Sequence, residues 1–181
     1  EDFAQAANQQ STYTLEVSQS RGMIYDCQGQ SLVNDSFHYM AAVLPNNESA
    51  ATLRSQFASA DLWREKMNSR VPFLTEVNTD AVRGEGVEVF SVPDRYSMDY
   101  TAPHIVGYVD ADGVGQTGIE RIFNDFLKSV GEKVKVRYQI DAMGRALSGN
   151  GIEILQEGNR SDGVVLTLYK GLQQACERIL S

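Results

Sequence analysis

An α+β fold is expected, built from an elongated set of mixed strands with a helical insertion around residues 47–69. Three observations carry that expectation. "KVKVRYQI" alternates without a fault, with Val134, Val136, Tyr138 and Ile140 on one face and Lys133, Lys135, Arg137 and Gln139 on the other. One wet face belongs to antiparallel or edge strands more than to the doubly covered strands of a parallel α/β sheet. Following Gly118, by contrast, Ile119, Ile122, Phe123, Phe126 and Leu127 form one apolar stripe at helical spacing. Between these extremes the chain is cut into short segments by turn residues.

Taken in order, residues 1–11 are polar and rich in Gln, Ala and Asn, a lead-in without a pattern of its own. Tyr13, Leu15 and Val17 then alternate with Thr14, Glu16 and Ser18 as a half-buried strand. "RGMIYDCQGQSLV" reads as a strand, a turn and a return strand, since Asp26 and Gly29 suit the first and last positions of a type I turn. The strand "HYMAAVL" leads to Pro45-Asn46-Asn47, where an Asn caps the helix "ESAATLRSQFA". Asp61 starts a second helix carrying Trp63, a core residue. Short strands are expected over residues 71–103, "GVEVFSV" the clearest, preceded by an Arg83-Gly84-Glu85-Gly86 turn. "HIVGYV" reads as another strand, and "GVVLTLY" as a last one before the helix "GLQQACERIL". On that helix Cys176 shares the apolar face with Leu172 and Ile179, which predicts a buried thiol.

Bulk properties narrow the function. A chain of 181 residues buries roughly 70% of its unfolded surface and needs no staple. A net charge of −8 without a basic stripe argues against nucleic-acid binding. Two distant cysteines, Cys27 and Cys176, and two histidines make neither a structural zinc site nor a disulfide framework, so no metal or cofactor is expected. No apolar run approaches the ~20 residues of a membrane span, and the first residues lack signal-peptide character.

"DADGVGQTGIE" carries two chemical motifs at once. As a calcium loop from Asp110 it fails, because Val114 stands at position 5 and Arg121 at position 12. As a dinucleotide loop, Gly113-x-Gly115-x-x-Gly118 lies between an expected strand and helix, with Asp141 about twenty residues on. Against it, Asp110 and Asp112 put negative charge beside the supposed pyrophosphate pocket. A small dinucleotide-binding domain using Gly113, Gly115 and Gly118 stays as the alternative reading. The structural reading is a capping box: Thr117 accepts from the Glu120 amide while the Glu120 carboxylate reaches back to the Thr117 amide.

Five segments in order resemble the N-terminal non-catalytic region, the dimerisation or pedestal domain, of class B penicillin-binding proteins. "RGMIYDCQGQSLV" is similar to R-G-x-x-x-D-R-x-G through Arg21, Gly22, Asp26 and Gly29, with Cys27 in place of the usual Arg. "RYSMDYTAPHIVGYV" is similar to R-Y…A-x-H-x-x-G-Y through His104 and Gly107, and "GQTGIE" to G-x-x-G-x-E through Gly115, Gly118 and Glu120. "DAMGRAL" resembles D-x-x-G-R through Asp141, Gly144 and Arg145. "DGVVLTLYKGLQQACERIL" resembles the segment leading into the transpeptidase domain, with Tyr169 where Asp is common.

The resemblance implies a membrane-proximal lead-in at 1–11, a pedestal domain over 12–161 and the start of a transpeptidase domain over 162–181. It implies a parent enzyme anchored outside the bacterial cell membrane, a peptidoglycan D,D-transpeptidase acting through a serine acyl-enzyme. No Ser here has a Lys three residues on, and no K-T-G occurs, so catalytic residues are expected to lie outside this chain. Implied partners are the transpeptidase domain itself, divisome, elongation or sporulation membrane proteins, and a second copy of the chain. Finally, Arg21 and Glu120, from two of the motifs, are expected to meet as an ion pair.

Overall fold

The computed structural model describes residues 11–56, 61–82, 84–98, 100–140 and 152–180. Asp141, Gly144 and Arg145 lie outside the described residues, as does most of the lead-in. The fold is α+β, with two three-stranded sheets, one two-stranded sheet and short helices among the described residues. It divides into two compact units, each drawn from three separate stretches of chain. The first takes Glu1–Ser18, His38–Val92 and Val134–Gln156, and the second Gln19–Phe37, Pro93–Lys133 and Glu157–Ser181.

The first unit holds both three-stranded sheets. In one, β6 (Lys133–Ile140) lies between β1 (Ser11–Gln19) and β7 (Ile152–Glu157). Its alternation is realised: Val134, Val136 and Tyr138 are buried, while Lys133, Lys135, Arg137 and Gln139 are half-exposed. In the other, β3 (Ser36–Val43) lies between β4 (Phe73–Val77) and β5 (Val87–Asp94), and pairs antiparallel with β4 so that Tyr39 faces Val77 and Val43 faces Phe73.

Strand β3 explains why "HYMAAVL" has no polar face. Ala41 and Val43 enter a core with Leu53, Trp63, Phe73, Val77 and Val87. Ala42, the residue between them, enters a second core with Leu44, Val17, Val134, Val136 and Tyr138. Both faces are covered, one by the other sheet and one by the helices α1 (Asn47–Gln56) and α2 (Asp61–Ser69). Trp63 is core, as expected. Helix α1 starts at a reciprocal cap: the Ser49 amide donates to Asn46 Oδ1 at 2.6 Å and the Asn46 amide to Ser49 Oγ at 3.0 Å.

The second unit is built on a two-stranded parallel ribbon, β2 (Met23–Tyr25) beside β8 (Gly163–Val165). Ile24, Leu32, Val33, Ala102, Val106 and Leu127 form its core. The expected turn after β2 is present, with the Gly29 amide donating to Asp26 O at 3.1 Å and φ of 78° at Gly29. The return strand shrinks to one bridge, Tyr25 to Ser31.

Two elements differ from the sequence expectation. "HIVGYV" is not a strand: Pro103–Val106 forms a single helical turn, α3, whose Pro presets φ at the first position. Gly107, at φ 82°, then turns the chain away. The stripe after Gly118 is not one buried helix either. It comprises α4 (Gly118–Ile122) and α5 (Asn124–Val130), joined at Phe123. Leu127 is fully buried, but Ile122 is 74% exposed and Phe123 and Phe126 are partly exposed. The covered side instead runs through Glu120, Asn124 and Leu127, so the stripe that periodicity picks out is not the face this unit buries.

Candidate functional site

Glu120 is fully buried on α4, inside the second unit, and its carboxylate gathers three donors from remote parts of the chain. Arg21 Nε donates to Oε2 at 3.0 Å. Arg95 Nε donates to Oε1 at 2.6 Å, and Tyr96 Oη to the same oxygen at 3.1 Å. A carboxylate so removed from water is tolerable only with charged partners and filled lone pairs. Two guanidinium groups against one carboxylate leave an excess positive charge, which main-chain carbonyls absorb. Arg21 Nη1 donates to Gly113 O at 2.8 Å and Arg95 Nη1 to Gly22 O at 2.8 Å. Arg21 Nη2 also reaches Glu120 O at 3.3 Å. Burial, and then the Glu120 charge beside it, pushes the Tyr96 hydroxyl well above its ordinary range.

The hub ties the chain after β1, the segment after β5, the glycine loop and α4 together. Asn124 adds a further tie, its Oδ1 accepting from the Gly115 amide at 2.9 Å and from Arg21 Nη1 at 3.2 Å. Arg21 is thus buried and fully engaged rather than a solvated turn residue. The expected capping box is absent. Thr117 is the extended N-cap of α4 without a side-chain cap, because the Glu120 carboxylate is held by the two arginines and Tyr96.

Gly115 and Gly118 of "DADGVGQTGIE", and Gly107 just before it, serve close contacts within the chain. A Cβ on Gly115 would fall 1.9 Å from Glu120 O, and one on Gly107 would fall 2.0 Å from Thr117 O. Gly118, at φ 57°, would meet Ile105 O at 2.4 Å. Of the three motif glycines Gly113, at φ 66°, is the one where an added Cβ would meet nothing within 4 Å. Helix α4 is five residues long, and the motif lies beside no parallel sheet of the doubly wound kind among the described residues. These contacts disfavour the dinucleotide reading. Asp110 serves its own turn, Oδ1 accepting from the amides of Asp112 at 3.0 Å and Val114 at 2.9 Å. Among the described residues no cluster of three or more His, Cys, Asp or Glu is placed to hold a metal.

Asp26 makes a second buried junction. Oδ1 accepts from the amides of Gln28 and Gln30, both at 2.8 Å, and Oδ2 from the Lys170 amide at 3.0 Å. Lys170 opens the last helix, α6 (Lys170–Leu180), so the carboxylate also meets the positive end of a helix. Burial opposes the charge, but the Lys170, Gln30 and Gln28 amides and the Lys170 ammonium outweigh it and hold the carboxyl below its ordinary value.

Of the remaining residues singled out from the sequence, Gly22 is buried where a Cβ would press on Val130 at 2.5 Å. Gly29 is an exposed turn glycine, and His104 is exposed on α3. Arg95, Tyr96, Asn124 and Lys170 were not singled out, although Arg95 and Tyr96 are the R-Y of "RYSMDYTAPHIVGYV", where a signal existed. Cys176 is exposed rather than buried. Both cysteines are free thiols.

No family model matches the sequence, and no curated protein matches it. Solved structures do. A peptidoglycan synthetase from Bifidobacterium adolescentis aligns over 94% of this chain at 20% identity with a TM-score of 0.56. Penicillin Binding Protein 2X from Streptococcus thermophilus aligns over 93% at 18% identity with a TM-score of 0.50. The chain has the fold of penicillin-binding proteins. A complex of a penicillin-binding protein with MreC from Helicobacter pylori also aligns, over 93% of this chain and 38% of that one, at 17% identity and a TM-score of 0.46. The chain spans 38% of the Bifidobacterium structure and 31% of the Streptococcus one, so the penicillin-binding-protein fold seen here corresponds to about a third of each. Among the described residues no helix is long and apolar enough to cross a membrane.

Proposed function

We propose that this chain is the non-catalytic N-terminal region of a class B penicillin-binding protein. It positions a serine D,D-transpeptidase that cross-links peptidoglycan outside the cytoplasmic membrane, and it offers surface to partner membrane proteins. The observation that carries the reading is a fold match over nearly the whole chain that fills only a third of the matched structures. The hub adds support, since it joins Arg21, Glu120, Arg95 and Tyr96, which come from three of the family-like segments. On this reading residues 12–161 form the pedestal, residues 162–181 begin the catalytic domain, and the anchor and acylated serine lie elsewhere in the parent.

Fluorescent penicillin tests the proposal. It is expected to leave this chain unlabelled and to label a longer polypeptide that includes the downstream coding sequence. Absence of label on the longer protein overturns the reading. In the labelled parent, Glu120→Ala is expected to lower peptidoglycan cross-linking while the penicillin-binding serine stays reactive. A thermal-shift assay with NAD(P) tests the other class of function. A ligand at 100 times its dissociation constant adds about 2.7 kcal/mol of stability, so the absence of a shift retires dinucleotide binding.

A further inference from the structure

A cavity of about 410 Å³ lies in the second unit, with Gln19, Ser20, Arg21, Asp112, Gly113 and Lys128 along its wall. That wall is fixed by main-chain bonds. The amides of Asp112 and Gly113 donate to Asp110 Oδ1 and Asp110 O, both at 3.0 Å, and Arg21 Nη1 holds Gly113 O at 2.8 Å. The Ser20 amide donates to Glu132 O at 2.8 Å, and Ser20 Oγ accepts from the Glu132 amide at 3.0 Å. Lys128 follows the fully buried Leu127, whose carbonyl accepts from the Gly22 amide at 2.7 Å.

The charges on this cavity are unpaired. Among the described residues neither the Asp112 carboxylate nor the Lys128 ammonium has a hydrogen-bond or ion-pair partner, and they do not pair with each other although they line the same space. The Gln19 side chain is likewise without a partner among the described residues. Arg21, by contrast, is spent on the hub and on Gly113. At Gly113 an added Cβ would meet nothing within 4 Å, so the cavity is open down to the main chain there.

A preformed space with one free carboxylate and one free ammonium selects its ligand by charge. An anion would be drawn to Lys128 but opposed by Asp112, and a cation the reverse. A molecule carrying both charges satisfies both residues. The volume falls within the range of small-molecule sites, about 300–1,000 Å³.

We infer that this cavity binds a short zwitterionic peptide, with Asp112 taking its ammonium, Lys128 its carboxylate and the Gln19 carboxamide its peptide group, for which it has both a donor and an acceptor. Every group invoked belongs to this chain, so the inference does not depend on the parent assignment. Through Arg21, the loop that carries Asp112 is one hydrogen bond from the Glu120 hub.

Alanylalanine titrated into the isotope-labelled 181-residue chain, with the amide resonances of Asp112, Gly113 and Lys128 followed, tests the site. The dipeptide is expected to bind at least about tenfold more tightly than its N-acetyl or C-terminal amide form, each of which lacks one charge. Asp112→Asn is expected to erase the advantage of the free amine and keep that of the carboxylate, and Lys128→Met to do the opposite. Gly113→Asn retains a residue that tolerates the left-handed backbone but fills the space, so binding is expected to be lost without unfolding.

No saturable shift up to the solubility limit of the dipeptide overturns the inference, as does equal binding of the three peptides. An N-acetyl form that binds as tightly as the zwitterion would show a plain anion site on Lys128, and an amide form that does so a plain cation site on Asp112. Either result overturns the zwitterion site, as does a charge preference that survives both Asp112→Asn and Lys128→Met.

Discussion

Arg21 and Glu120, 99 residues apart in sequence, meet as a buried ion pair with Nε 3.0 Å from Oε2. Because Arg95 holds the other carboxylate oxygen, removing Glu120 strands two guanidinium groups at once. Glu120→Ala is expected to cost about 3–5 kcal/mol, read from denaturant unfolding. Glu120→Gln keeps the shape but turns an amide donor toward one of the arginines, so an intermediate loss is expected. Arg21→Lys supplies the charge without the planar fork that reaches Glu120 and Gly113 together, and should fall well short of wild type. A change below about 0.5 kcal/mol for Glu120→Ala would mean that the hub is not a determinant of the fold.

The glycines of the loop separate by mechanism. At Gly115 an added Cβ meets the Glu120 carbonyl oxygen at 1.9 Å, backbone that has no freedom to yield. Gly115→Ala should therefore cost about 3 kcal/mol or more. At Gly113 nothing lies within 4 Å, so Gly113→Ala should show only the left-handed backbone cost of about 1–2 kcal/mol. Thermal denaturation of the two variants side by side checks the order, and equal losses would contradict these contacts.

Asp26 links stability to acid. Its folded value is depressed, so its contribution is fully present above the ordinary carboxylate value of 3.8 and is lost as pH falls through the lower folded value. Asp26→Asn should lower stability at neutral pH and flatten this acid-side loss. Urea midpoints of wild type and variant, compared from neutral to strongly acidic pH, should converge at the acid end. Parallel curves would remove Asp26 from the linkage.

Two tyrosines act on the alkaline side. Burial raises both Tyr96 and Tyr138 above the ordinary value of 10.0, with the Glu120 and Glu88 charges adding respectively. A raised value means stability present below 10.0 and lost as pH rises through the folded values. At neutral pH the two differ. Tyr96→Phe gives up a bond to a buried carboxylate and should cost about 1.5–3 kcal/mol. Tyr138 Oη is buried with no partner among the described residues, so Tyr138→Phe should be neutral or slightly stabilising. Phenolate absorbance during alkaline titration should lose one late-ionising component in each variant.

Much of the fold was legible because its signals are local. The alternation of β6, the Asp26–Gly29 turn, the Asn46 cap and the start of α6 each depend on residues within a few positions. "HIVGYV" misled because its β-branched residues favour a strand, while Pro103 and Gly107 impose a helical turn and a left-handed exit. The capping box misled for a different reason: its local geometry is sound, but a carboxylate offered two buried guanidinium groups goes to them.

By itself, the sequence determined the α+β class, the two faces of β6, the Asp26–Gly29 turn and the starts of α1, α2 and α6, all consequences of short-range periodicity and backbone preference. It also carried the order of motifs that resembles one family. Only the tertiary structure decided that Glu120 is a hub, that Arg95 and Tyr96 share it, and that the stripe of Ile122, Phe123 and Phe126 stays largely uncovered. Those outcomes depend on which distant groups compete to satisfy a buried charge or cover an apolar face. That competition is between segments many residues apart, and no local pattern records its result.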